Sequence, residues 1–111
     1  MQENTATAMP YSTIVDKFQH IVYQQPDMTP AERNATWLNL ERQYRPHISM
    51  EGMPYLEQGT RWQYQMHIFE TPFYYIDYCL AQTAAFQFLL ASLEDYEGAF
   101  AAYLRFSKQG G

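Results

Sequence analysis

From Phe73 to Ser92 the chain reads FYYIDYCLAQTAAFQFLLAS, with Asp77 as its one charge. Wound as a helix, this stretch is apolar on nearly every face, and such a helix is one buried on most sides. A lone bundle of 111 residues rarely needs a helix of that kind, whereas a larger protein does. Thr71-Pro72 immediately before it pairs a capping residue with a proline at the first helical position. The expected helix therefore covers residues 72–92, buried on most sides.

Prolines divide the rest into shorter helical segments. Met9-Pro10-Tyr11-Ser12 reads as a helix opening with Ser12 as N-cap; Ile14, Phe18, Ile21 and Val22 follow on one helix face, and Pro26 ends it. Thr29-Pro30-Ala31-Glu32 is the sharpest signal, a capping threonine, a proline and a glutamate that reaches back to the cap. The helix it opens should run to Tyr44, burying Trp37, Leu40 and Tyr44, with Pro46 as its stop. Residues 46–59 read as a loop, and Arg61 to Phe69 as a short helical stretch. Ser92-Leu93-Glu94-Asp95 holds the cap of a last helix that passes Tyr96, Phe100 and Leu104 to Phe106, before Gly110-Gly111. No β-alternating run survives this reading. The expectation is an all-α helical bundle, a single unit over 1–111 with residues 1–8 disordered.

Charge narrows the function classes. Seven basic against twelve acidic residues give a formal charge of -5, which repels nucleic-acid phosphates, and no Lys/Arg cluster offsets it. No apolar run approaches the roughly 20 residues that span a bilayer. MQENTATAMP lacks the basic start and apolar stretch of a secretory leader. A single cysteine, Cys79, excludes an internal disulfide and every multi-cysteine zinc pattern. The expected compartment is the cytoplasm. Ten Tyr and seven Phe point to an interface or to the lining of a polar cleft, because a phenol packs its ring and offers its hydroxyl.

The three histidines are the first candidates for chemistry, and none forms the H-E-x-x-H arrangement that places two imidazoles and a base on one helix face. His20 and Asp16, four apart, read as a surface pair. His47 after Pro46 reads as a solvated loop residue, and Cys79 as a packed, inert thiol. Asp77 interrupts a buried aromatic run and so calls for a partner, read as an ion pair with an arginine or a backbone amide. His67 with Tyr74, Tyr75 and Tyr78 is the constellation that stands out, since Tyr75 and Tyr78 at helical spacing project their hydroxyls in one direction. A tyrosine pair of that kind is more often core lining than chemistry, and the surrounding stretch changes the weighting.

RWQYQMHIFETPFYYIDYCLAQ resembles the C-terminal part of the oligoendopeptidase F-type zinc peptidases, the M3 metallopeptidase family. VDKFQHIVYQQPDMTPAERNATWLNLERQYRP is similar to the helix pair before it, and ASLEDYEGAFAAYLRFSKQGG to the segment after it, so that the resemblance runs over residues 9–111. It implies a large helical body split by a channel with zinc at the bottom. It also implies a zinc-dependent metalloendopeptidase acting on oligopeptides. The family's zinc ligands and general base lie upstream of this segment, so the resemblance gives this chain no metal ligand and no catalysis of its own. What it does imply is the wall opposite the zinc: His67 as a substrate-binding histidine, Tyr78 as the first choice for oxyanion donor, and Tyr75 as the alternative donor or a substrate-binding residue.

Two readings follow. In the first the chain is the C-terminal portion of such a peptidase, inactive alone. In the second it is a non-catalytic helical module, derived from such a peptidase, that binds peptides or a partner. In either case the uncovered apolar helix 72–92 leads to the expectation of a homo-oligomer.

Overall fold

The computed structural model describes residues 2–110, with side chains from Thr7 onward. Six α-helices and one 3-10 turn make up the regular structure, and no strand occurs among the described residues. The all-α expectation is borne out. No described helix is long and apolar enough to cross a membrane. The chain divides into two compact units, residues 1–79 and 80–111.

In the first unit α1 (Gln2–Gln24) and α2 (Pro30–Tyr44) form a helical hairpin. α1 takes in residues 2–8, for which disorder was expected, and it runs through Pro10 rather than opening at Ser12. Ser12 is not a cap: its Oγ donates to the Ala8 carbonyl at 3.1 Å, and Thr13 Oγ1 donates to the Met9 carbonyl at 3.0 Å. These hydroxyls bond the carbonyls one turn back, next to the proline that cannot donate from its own nitrogen.

α2 is the helix the sequence described. Thr29 Oγ1 accepts from the Glu32 amide at 3.3 Å while the Glu32 carboxylate accepts from the Thr29 amide at 2.7 Å, a complete capping box. Trp37 and Leu40 are buried as expected, and Tyr44 is half-buried. With Ile14, Val15 and Phe18 of α1, and Trp62 of the 3-10 turn Arg61–Tyr64, they form the core. Phe18 meets Trp37 edge-on at 5.2 Å and Trp62 at 5.3 Å, and the Trp62 indole donates to Asn34 Oδ1 at 2.9 Å. Full burial of one such apolar side chain is worth about 1.5–3 kcal/mol.

The stretch 46–59 contains a single helical turn, α3 (Pro54–Glu57), and then Gly59 at φ +76°. A Cβ on Gly59 would collide with the Asn34 carbonyl oxygen, so glycine is what lets this loop close on α2. α4 (His67–Glu70) follows the 3-10 turn, splitting the single stretch expected for Arg61 to Phe69.

The helix expected at 72–92 begins later. Thr71 is the C-cap of α4, Phe73 takes φ +64°, and α5 spans Asp77–Glu94. A left-handed residue cannot continue a right-handed helix, and it costs about 1–2 kcal/mol. The Phe73 ring packs on His20 and Tyr23, at 4.9 and 5.0 Å between centroids, which holds that geometry. Asp77 consequently stands exposed in the first turn of α5 rather than inside a buried run. There its charge meets the positive end of the helix dipole, and no ion pair is found for it among the described residues. None of the described residues of α5 is buried in this chain, although its composition suits a helix covered on most sides in a larger protein.

In the second unit the cap of α6 (Tyr96–Ser107) is Asp95, accepting from the Gly98 amide at 3.1 Å, while Ser92 to Glu94 of the expected capping string lie within α5. Phe88 packs on Tyr103 and Phe106, at 5.6 and 5.7 Å.

Candidate functional site

The tight turns on either side of α4 bring the expected residues together. Gln65 is extended between the 3-10 turn and α4, so its side chain lies beside that of His67, the first residue of α4. Residues 71–76 then fold back through successive turns, with the Tyr74 carbonyl accepting from Asp77 N at 3.0 Å and the Ile76 carbonyl from Cys79 N at 2.9 Å. Tyr74 and Tyr75 therefore precede α5, and Tyr78 lies in its first turn.

The result is an aromatic cluster around one imidazole. His67 meets Tyr75 at 4.9 Å and Tyr78 at 6.0 Å, both edge-on, and lies parallel to Tyr74 at 6.5 Å. Tyr78 in turn contacts Tyr74 at 5.6 Å and Tyr75 at 5.4 Å. Tyr74 and Tyr78 are 48% and 50% exposed, whereas Tyr75 and His67 are half-buried. The cluster is thus an open wall of phenols with an imidazole among them.

Behind it stands a layer that the sequence reading did not identify. Tyr11 of α1 meets Tyr75 edge-on at 6.0 Å and donates its hydroxyl to Gln65 Oε1 at 3.0 Å. Gln65 Nε2 lies 2.7 Å from His67 Nδ1. The guanidiniums of Arg45 and Arg61 lie against the Tyr11 ring, at 5.4 and 5.2 Å from its centre. Both are held by Glu41, which is buried: Arg45 Nη1 is 3.2 Å and Arg61 Nε 4.0 Å from its carboxylate. Glu41 and Arg45 at i, i+4 were legible as a helical ion pair; nothing in the sequence linked either to Tyr11.

The surroundings of two phenols, Tyr11 and Tyr75, favour their neutral form. Burial pushes the Tyr11 hydroxyl above its usual value, with Arg61 pulling the other way through a hydrogen bond and its charge. Burial also raises Tyr75, helped by its neighbours Tyr11, Tyr78 and Cys79 and opposed by Arg61. A raised phenol keeps its proton at neutral pH and can donate it to a hydrogen bond.

Of the remaining candidates only Cys79 borders the cluster, as a neighbour of Tyr75. His20 and Asp16 form a surface pair at 3.5 Å. His47 is an exposed residue after α2, and Cys79 is half-buried with its thiol 3.7 Å from the Met9 carbonyl. A zinc ion of the kind the resemblance implies does not fit here: among the described residues no three of His, Cys, Asp and Glu converge.

Neither a family model nor a curated protein sequence matches the chain. Two solved structures do. PZ peptidase A, determined with an inhibitor, is 51% identical over 93% of this chain with a TM-score of 0.86, and the match takes in 18% of that protein. A putative oligoendopeptidase F is 45% identical over 94% of this chain with a TM-score of 0.82, covering 20% of that protein. The chain therefore spans about a fifth of the length of the structures it matches. Over nearly all of its length it corresponds in sequence and fold to part of an oligoendopeptidase F-type peptidase, as the resemblance implied.

Proposed function

We propose that this chain is the substrate-facing C-terminal segment of a cytoplasmic zinc-dependent oligoendopeptidase, inactive without the rest of such an enzyme. The observation that carries the reading is the convergence of His67, Tyr75 and Tyr78 within a segment closely similar to two peptidase structures. In this reading oligopeptide is the substrate, and the zinc is held by residues outside this chain. Tyr78 donates a hydrogen bond to the oxyanion, Tyr75 orients substrate or shares that donation, and His67 binds the substrate backbone. A neutral phenol suits the task because it needs no counter-charge before the reaction. One preorganised donor of this kind is worth about 3 kcal/mol in the transition state.

Steady-state kinetics in a full-length enzyme carrying this segment test it. Tyr78→Phe lowers kcat roughly 10²-fold with little change in KM, because the lost donor acts mainly in the transition state. Tyr75→Phe has a smaller or mixed effect, and His67→Ala damages both parameters. Wild-type turnover in both phenylalanine variants would reduce the cluster to packing. The 111-residue chain alone should bind no stoichiometric zinc and hydrolyse no oligopeptide; chelator-sensitive activity would refute that part.

The exposure of Tyr74 and Tyr78 favours a second reading, a non-catalytic module that captures peptides on its phenol wall. Saturable oligopeptide binding by the chain alone, lost in Tyr74→Ala and Tyr78→Ala, would support it.

A further inference from the structure

We infer that Gln65, aligned by Tyr11, holds neutral His67 in the tautomer that carries its proton on Nε2. This makes Gln65 and Tyr11 positioning residues for the imidazole. The tautomer follows from this chain's own geometry; its use in substrate binding rests on the function proposed above.

The direction of the chain of hydrogen bonds is set at its far end. Guanidiniums only donate, and that of Arg61 lies against the Tyr11 ring, 5.2 Å from its centre. Arg45 adds a second cation against the same ring, and buried Glu41 keeps both in place. A phenol oxygen in that field turns its lone pairs toward the cations and its O–H away from them. The acceptor waiting there is Gln65 Oε1, at 3.0 Å.

A primary amide has one accepting end and one donating end. With its oxygen engaged by Tyr11, Gln65 presents its NH2 to His67 Nδ1, 2.7 Å away. Two N–H groups cannot face each other at that distance, so Nδ1 must offer a lone pair. In the neutral ring the proton then sits on Nε2, the nitrogen Gln65 does not touch.

The consequence is chemical. Nε2–H is then a donor within the cluster of His67, Tyr75 and Tyr78, one that a substrate carbonyl oxygen can use. The opposite tautomer would present a lone pair there and repel that oxygen. Gln65 thus acts through His67 without needing to touch substrate.

The tautomer is read directly from the 15N-labelled full chain, by long-range 1H–15N correlation of the imidazole at a pH above the histidine range. The expected spectrum shows Nδ1 as the bare nitrogen and Nε2 as the protonated one. Gln65→Glu offers His67 only acceptors, so the proton should move to Nδ1 and the assignment reverse. Tyr11→Phe releases the amide from its anchor, and the Nε2–H form should give way to a mixture. A wild-type spectrum with the proton on Nδ1 overturns the inference. So does a Gln65→Glu spectrum identical to wild type in a chain of unchanged circular dichroism. Should Gln65→Glu fail to fold, the wild-type and Tyr11→Phe spectra still decide, an unmoved tautomer in Tyr11→Phe counting against Tyr11 as the aligning residue. No peptide is present in the experiment, so the substrate role of His67 stands or falls separately, on the kinetics of His67→Ala.

Discussion

Arg45 bonds both carboxylate oxygens of Glu41 through Nη1, at 3.2 and 3.4 Å, with Glu41 only 2% exposed. Removing one partner of such a pair leaves the other charge uncompensated, at a cost of about 3–5 kcal/mol. Glu41→Ala should fall at the lower end of that range, because Arg61 reaches solvent and Arg45 keeps its contact with Tyr11. The double variant Glu41→Leu/Arg45→Met removes both charges and should recover most of the loss. Urea unfolding followed by tryptophan fluorescence measures this, since Trp37 and Trp62 both lie in the first unit's core. Equal losses in single and double variants would show that the pairing does not set the cost.

Gly59 and Gly52 provide a matched test of the loop between α2 and the 3-10 turn. Both have left-handed φ, +76° and +80°, but a Cβ on Gly52 meets nothing within 4 Å, whereas one on Gly59 collides with the Asn34 carbonyl. Gly52→Ala should cost about 1 kcal/mol from backbone conformation alone. Gly59→Ala adds the collision and should cost at least about 2 kcal/mol, weakening the Trp62–Asn34 hydrogen bond as the loop is pushed off α2. Equal melting temperatures for the two variants would contradict the close packing.

Stability should fall at both ends of the pH scale, for different residues. Tyr11 and Tyr75 are raised above 10.0 in the fold, so the folded state holds their protons longer than the unfolded chain does. Their contribution is complete below about pH 10 and is lost as pH rises through the folded values. Glu32 is lowered from 4.5 by its hydrogen bonds with Thr29, so its contribution is present above that value and is lost as pH falls through the folded one. Tyr11→Phe should flatten the alkaline slope, and Glu32→Gln the acid one, in unfolding curves taken across pH. An alkaline slope unchanged in Tyr11→Phe would remove that residue from the account.

The full chain should self-associate. Leu80, Leu90 and Leu93 are 64%, 62% and 77% exposed along α5, with Tyr96 and Phe106 also open on α6. Apolar patches beyond a few hundred Å² are uncommon on monomers. Sedimentation should give a mass that rises with concentration, and Leu90→Glu/Leu93→Glu should lower it. A constant monomer mass at high concentration would refute this.

Local chemistry made much of the molecule legible. The capping box of α2, its stop before Pro46, the Asp95 cap of α6 and the burial of Phe18, Trp37 and Leu40 each follow from residues within a turn or two of one another. Hydrogen bonds at helix ends and apolar spacing on one face are decided at that range. The grouping of His67 with Tyr74, Tyr75 and Tyr78 was legible too, because those residues lie within twelve positions in the sequence. At short range the chain has few ways to keep them apart.

Longer range decided the rest. Thr71-Pro72 has the composition of a helix start, yet the helix waits until Asp77, because Phe73 takes a left-handed turn while its ring packs on His20 and Tyr23, some fifty residues earlier in the chain. The same holds behind the phenol wall. Tyr11 and Gln65 are 54 positions apart, and Glu41, Arg45 and Arg61 come from α2 and the 3-10 turn. By itself the sequence determined which segments are helical, where several of them start and stop, and which aromatic residues share a neighbourhood. Only the tertiary structure decided which hydrogen bond reaches His67, because the direction of a hydrogen-bond chain depends on the charges at its far end, and packing alone brings those charges into place.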